Sequence, residues 1–176
     1  MNLRYRVRRA AFGLIAAASF AAALLTAADR PVQARAAGGA KGLEGVWAVQ
    51  VTRTDCATGA PLGPPFLSLV TFVRGGTIVE SSGGTSFAPG QRSSGHGTWS
   101  HEGGNTYTQQ MIGLIRFTTL PGPGTPGFEA GWQTVRHTVT RVDRNHIVSS
   151  GANAFYDSNG QLYRSGCSTA EGERFE

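Results

Sequence analysis

From residue 42 onward, apolar and polar side chains alternate in short runs, and no window sustains the period of an amphipathic helix. The alternating runs cover residues 45–56, 66–73, 76–81, 96–101, 105–117, 131–142, 146–157 and 161–172. Each is bounded by Gly, Pro, Asn, Asp or Ser, so each is predicted to be a β-strand. Short turns are predicted at Arg74-Gly75, Glu102-Gly103-Gly104, Asp143-Arg144-Asn145 and Ser158-Asn159-Gly160. The stretches 57–65, 82–95 and 118–130 are long and rich in Gly, Pro and Ser. The first six connections therefore alternate long and short. In an up-and-down meander, alternate connections lie at opposite ends, so the long loops gather at one end and the tight turns at the other. A two-sheet sandwich accepts the same strands but gives no reason for the alternation. The expected fold is all-β, an eight-stranded antiparallel up-and-down barrel.

The first part of the chain changes the charge argument. Arg4, Arg6, Arg8 and Arg9 precede an uncharged, Ala-rich run at 10–28, and small residues recur at 26–28 and 32–34. That is the pattern of a cleaved secretory signal peptide, with residues 1–35 as signal and flexible leader and 42–176 as the barrel domain. The run is also long enough to serve as an uncleaved anchor. Arg8-Arg9 hints at twin-arginine export, although 10–12 continues that motif weakly and general secretion is favoured. The formal net charge of +5 resides in this leader. From Ala36 onward, Lys41 and nine arginines balance ten acidic side chains. The high overall charge thus gives no argument for nucleic acid or an anionic membrane as partner, and no nucleic-acid partner is expected. No stable membrane insertion is expected once the leader is removed, and the localisation is periplasmic or secreted.

Gly45-Val46-Trp47 opens the first predicted strand. It resembles the Gly-x-Trp of the lipocalin and wider calycin group. That resemblance implies a tryptophan at the closed end of a barrel, covered by a basic residue from near the last strand. Arg174, in "EGERFE", stands at the matching position, which makes Trp47 and Arg174 the expected barrel-closing pair. Gly95–Trp99, "GHGTW", followed by Tyr107, is similar to lipocalin-like domains of small bacterial exported proteins. The Thr-Asp-Tyr of typical lipocalins is absent near the sixth and seventh runs.

Cys56 and Cys167 are the only cysteines, and an even pair in an exported chain reads as a disulfide. If the barrel closes, the first and last strands are neighbours. Setting Cys56 opposite Cys167 then places Val49 opposite Arg174, with Arg174 diagonal to Trp47.

Catalytic signatures are sparse. His96 and His101 fall on opposite faces of one strand, and His137 and His146 flank a turn, with His137 pairing near Ala152. None has metal-ligand spacing, so no metal or cofactor is expected, although His96 and His137 could meet in three dimensions. There is no Gly-x-Ser-x-Gly, and the Gly-rich stretches lack the Gly-Lys-Ser/Thr ending of a phosphate loop. Glu80, Tyr107 and Arg136 are ionisable groups that a barrel interior could enclose. Phe72, Trp99, Tyr107, Trp132 and Phe155 sit on five of the strands, with Gln109 and Arg136 on matching faces. These seven are the candidate ligand-binding residues, an apolar wall with a few polar groups. Phe87 and Phe128 lie in long loops as lids or as loop anchors.

The expected function is binding of a small apolar or amphipathic molecule without catalysis. An envelope structural or interaction module with a filled barrel is the second reading. A barrel isomerase or cyclase is the third, and a cavity with a buried, paired ionisable group would favour it.

Overall fold

The computed structural model describes residues 42–84, 86–123 and 126–175. The predicted leader, residues 1–35, lies outside them. The strands are β1 (Gly45–Thr54), β2 (Phe66–Val73), β3 (Thr77–Ser82), β4 (Gly95–Gly103), β5 (Thr106–Ile115), β6 (Gly131–Arg141), β7 (His146–Asp157) and β8 (Leu162–Arg174). Each pairs antiparallel with the next, and β8 pairs with β1 to close the barrel. The three long loops and the β7–β8 turn lie at one end, the mouth. The other three turns lie at the opposite end, the floor.

Local chemistry sets the turns. Gly75 and Gly76 adopt φ 94° and 93°, so β3 starts at Thr77 and not at the expected Gly76. Asp143 Oδ1 accepts the amides of Asn145 and His146, and Asp157 Oδ1 accepts those of Asn159 and Gln161. These Asx turns close the β6–β7 and β7–β8 hairpins. The β6–β7 turn places Gly151 opposite His137, one residue from the expected Ala152.

The floor is a packed core. Leu43, Trp47, Phe72, Ile78, Tyr107, Val139 and Ile147 are buried there in one cluster. Trp47 Nε1 donates to the Leu43 carbonyl at 2.8 Å, which satisfies the buried indole. The Arg174 guanidinium carbon stands 4.3 Å from the Trp47 ring centroid, a contact worth about 0.5–2 kcal/mol. Its nitrogens donate to the carbonyls of Glu44, Gly42 and Arg144. A Cβ at residue 45 would stand 2.6 Å from Arg174 Nη1, at φ 127°. Glycine at 45 therefore makes room for the guanidinium that covers the tryptophan.

The β1–β8 seam corrects the expected register. Trp47 faces Arg174 directly and Val49 faces Gly172, two residues from the expectation. Cys167 pairs with Thr54, and the Cys56–Cys167 disulfide is diagonal, with Cα atoms 5.2 Å apart. The cause is local. Asp55 leaves the ladder because Oδ1 accepts the amides of Ala57 and Thr58, so Cys56 lies in a turn and not in the strand. The shift is an even number, so every side chain keeps its face.

Candidate functional site

The mouth half of the barrel is not filled. Above Phe72, Val139 and Ile147 lies a cavity of about 310 Å³, open toward the long loops. Residues of one parity on each strand point into it: Val49 and Val51 on β1, Ser68 and Val70 on β2, Gln133, Val135 and His137 on β6. The wall is mostly apolar, and besides Arg53, Asn153 and Arg164 it carries two hydrogen-bonded groups of polar side chains.

The first centres on Arg92, in the loop between β3 and β4. The amide of Ser93 donates to the Leu114 carbonyl, so this segment extends the sheet beside β5 and directs Arg92 inward. Arg92 Nη1 donates to Glu80 Oε2 at 2.8 Å, and its Nε donates to Gln133 Oε1 at 2.6 Å. Ser68 Oγ donates to the other Glu80 oxygen at 2.9 Å. The pair is deeply enclosed, with 7% of the Arg92 side chain and 6% of the Glu80 side chain exposed. Two glycines leave the space. A Cβ at 113 would stand 3.2 Å from the Arg92 guanidinium carbon, and one at 95 would stand 2.8 Å from Glu80 Oε2.

The second group is a band across four consecutive strands: Gln109 on β5, His137 on β6, Ser149 on β7 and Ser168 on β8. Gln109 and His137 are direct cross-strand partners. His137 is buried, with Nδ1 3.0 Å from Ser149 Oγ and Nε2 3.0 Å from Ser168 Oγ. Burial pushes its pKa down from the ordinary 6.5 to about 4, so the ring is neutral near pH 7. Gln109 is 8% exposed, and its Oε1 has no hydrogen-bond partner among the described residues.

The mouth is roofed by aromatics. Phe87, Phe128, Phe155 and Tyr163 form a cluster, with ring centroids 4.5 Å apart for Phe87–Phe128 and 5.4 Å for Phe128–Phe155. The Arg164 guanidinium packs 4.7 Å from the Phe128 ring and donates to the Gly127 carbonyl. Gln91 is fully buried and ties the two largest loops together. Its Oε1 accepts from the Ala88 amide, and its Nε2 donates to Phe117 O and Thr119 Oγ1.

The seven candidate residues separate into three places. Phe72, Gln109 and Phe155 line the cavity. Trp99 and Tyr107 face inward at the floor, where Trp99 packs on Phe72 and on Tyr107, and neither lines the cavity. Trp132 and Arg136 do not belong to this wall. Both lie on the outer face of β6, where Trp132 stacks on Tyr156 with centroids 5.5 Å apart and Arg136 is exposed. The inward face of β6 is that of Val135, His137 and Val139. Their alternation with Thr134, Thr138 and Thr140 was the signal for it. Among the described residues no group of acidic, His or Cys side chains is arranged to hold a metal, and His96 lies exposed, away from the buried His137.

No protein-family model matches the chain, and no curated protein matches it.

The buried imidazole makes stability depend on pH. The unfolded chain binds the His137 proton near 6.5 and the folded chain only near 4, so between those values the unfolded state holds more protons. Stability therefore falls as the pH falls through that window, by about 3 kcal/mol in all. Asp55, Glu102 and Asp143 are held below their ordinary values by the Thr58 amide, the Ser100 hydroxyl and the Asn145 amide. Their contribution is lost below 4.5 for Glu102 and below 3.8 for the aspartates, beneath most of the histidine window. Urea titrations between pH 7 and 4 measure the effect, and the His137→Gln variant is expected to flatten it. A wild-type curve that is already flat there would exclude a buried neutral imidazole.

Proposed function

We propose that this protein is an exported, lipocalin-like binder that holds a small apolar or amphipathic molecule in the mouth half of its barrel. The observation that carries the reading is the cavity of about 310 Å³ with a mostly apolar wall. That size and lining suit a small-molecule site. A filled interior would have favoured a structural module, and only the floor is filled. The Cys56–Cys167 disulfide supports a non-reducing compartment, periplasmic or extracellular, in keeping with the leader pattern. Gly45-Val46-Trp47 covered by Arg174 supports a calycin-type barrel of a small bacterial exported protein.

A specific observation also favours a barrel isomerase or cyclase. The cavity contains the buried Glu80–Arg92 pair and the buried His137. Binding without chemistry remains the better reading, because both Glu80 oxygens and both His137 nitrogens are already held by Arg92 and serine hydroxyls. A general base needs an open position toward its substrate.

Native mass spectrometry of protein purified from its own host, with organic extraction, tests both readings. The expected result is a co-purifying small molecule that is recovered unchanged after incubation with fresh protein. Conversion of that molecule to an isomer would replace the binder with an enzyme. Protein that carries nothing, and takes up nothing from host extracts, would remove the binding function.

A further inference from the structure

The polar chemistry inside the cavity restricts the ligand further, on the premise of the binding function proposed above. Charge comes first. Arg92 and Glu80 cancel each other at 2.8 Å, so the inner wall offers no free charge to an ionised ligand. An ion placed there would lose its hydration without gaining a partner.

Hydrogen-bonding capacity comes second. His137 lies between two hydroxyls, each 3.0 Å from a ring nitrogen. In a neutral imidazole one nitrogen donates and the other accepts. One serine therefore gives its proton to the ring, and the other receives the ring proton and keeps its own. That leaves one hydroxyl donor unspent, at either Ser149 or Ser168, and both side chains line the cavity. On the neighbouring strand, Gln109 Oε1 is a buried acceptor without a donor. An unspent donor and an unspent acceptor in one band are the complement of a group that both donates and accepts.

We infer that the cavity selects a neutral amphipathic molecule with an alcohol hydroxyl at its inner end, which donates to Gln109 Oε1 and accepts from the Ser149–His137–Ser168 chain. A carboxylate only accepts, so it leaves the buried Gln109 Oε1 without a donor. It has another place to sit. Arg53 and Arg164 line the outer part of the same cavity, and an acid held there would have its tail inward. The alcohol and the acid thus depend on different residues.

The test is calorimetric titration at pH 7 with three probes of similar size: octanol, octanoate and methyl heptyl ether. The ether accepts a hydrogen bond but cannot donate one. Octanol is expected to bind at least tenfold more tightly than either of the others, because an unpaired buried acceptor carries a penalty of that order. The advantage over the ether is expected to vanish in Gln109→Leu. Octanoate or the ether binding as tightly as octanol overturns the inference and leaves the binding function standing, and so does an advantage that survives in Gln109→Leu. If none of the three binds, the inference is overturned, and the binding function is decided by the host-extract experiment. Should Gln109→Leu fail to fold, the three wild-type titrations decide the matter.

Discussion

Replacing Cys56 and Cys167 together by serine is expected to lower the stability of the barrel by about 4–5 kcal/mol, one of the two largest effects in the molecule. The bridge joins residues 111 apart in sequence. Chain-entropy arguments give its main effect as the loss of freedom in the unfolded chain, and that loss grows with the length closed. Its place in the fold supports a full effect. Cys56 lies in the turn that opens the first long mouth loop, and Cys167 lies in β8, paired with β1 on one side and β7 on the other. The bridge therefore ties the loop to the closing seam. A domain of this size has about 5–15 kcal/mol in total, so the double variant would retain a marginal fold. The melting temperature is expected to fall by roughly 10–20 °C. Urea unfolding of the oxidised protein, the reduced protein and the double variant measures this, with the latter two behaving alike. A loss under 1 kcal/mol would show that residual structure already restricts the unfolded chain without the bridge.

How much of this was legible in the sequence depended on whether a local rule decided the point. The strands and the alternation of loops follow from period-2 patterning and turn residues, which act over a few positions. The cysteine pairing followed from the presence of only two cysteines and an export pattern. The seam register was not legible, because it depends on where β1 ends. Asp55 bends the chain one residue before Cys56, and an alternating pattern does not show that bend. On β6, Trp132 drew the reading to the wrong face. The valines at 135 and 139 pointed to the face that is buried, and an aromatic ring can equally stack outside, as Trp132 does on Tyr156. Arg92 was invisible for a different reason. It lies in a loop without period, and its inward course depends on room left by Gly95 and Gly113 on two other segments. Polar cavity residues are the hardest to read, because their partners come from strands distant in sequence.

The second large effect concerns that arginine. Glu80→Leu or Arg92→Leu alone is expected to cost about 3–5 kcal/mol, because each leaves the opposite charge buried without a partner. The double variant is expected to cost less than either single one. Leucines can cover the same wall, and Ser68 can turn its hydroxyl proton from Glu80 to the Ser81 carbonyl, 3.3 Å away. Urea titrations of the four proteins give the coupling directly, and a double variant that costs the sum of the singles would show that the two side chains act independently. If an apolar wall is nearly as stable, the pair matters for what it does to the cavity and not for what it adds to the fold. It holds a guanidinium inside while cancelling its charge. In Glu80→Leu the Arg92 guanidinium loses its carboxylate, and a carboxylate ligand can take its place. Octanoate is therefore expected to raise the melting temperature of Glu80→Leu by more than that of the wild type, since a ligand stabilises only the folded state that binds it. Equal stabilisation of both would mean that the acid is held at the mouth by Arg53 and Arg164, beyond the reach of Arg92.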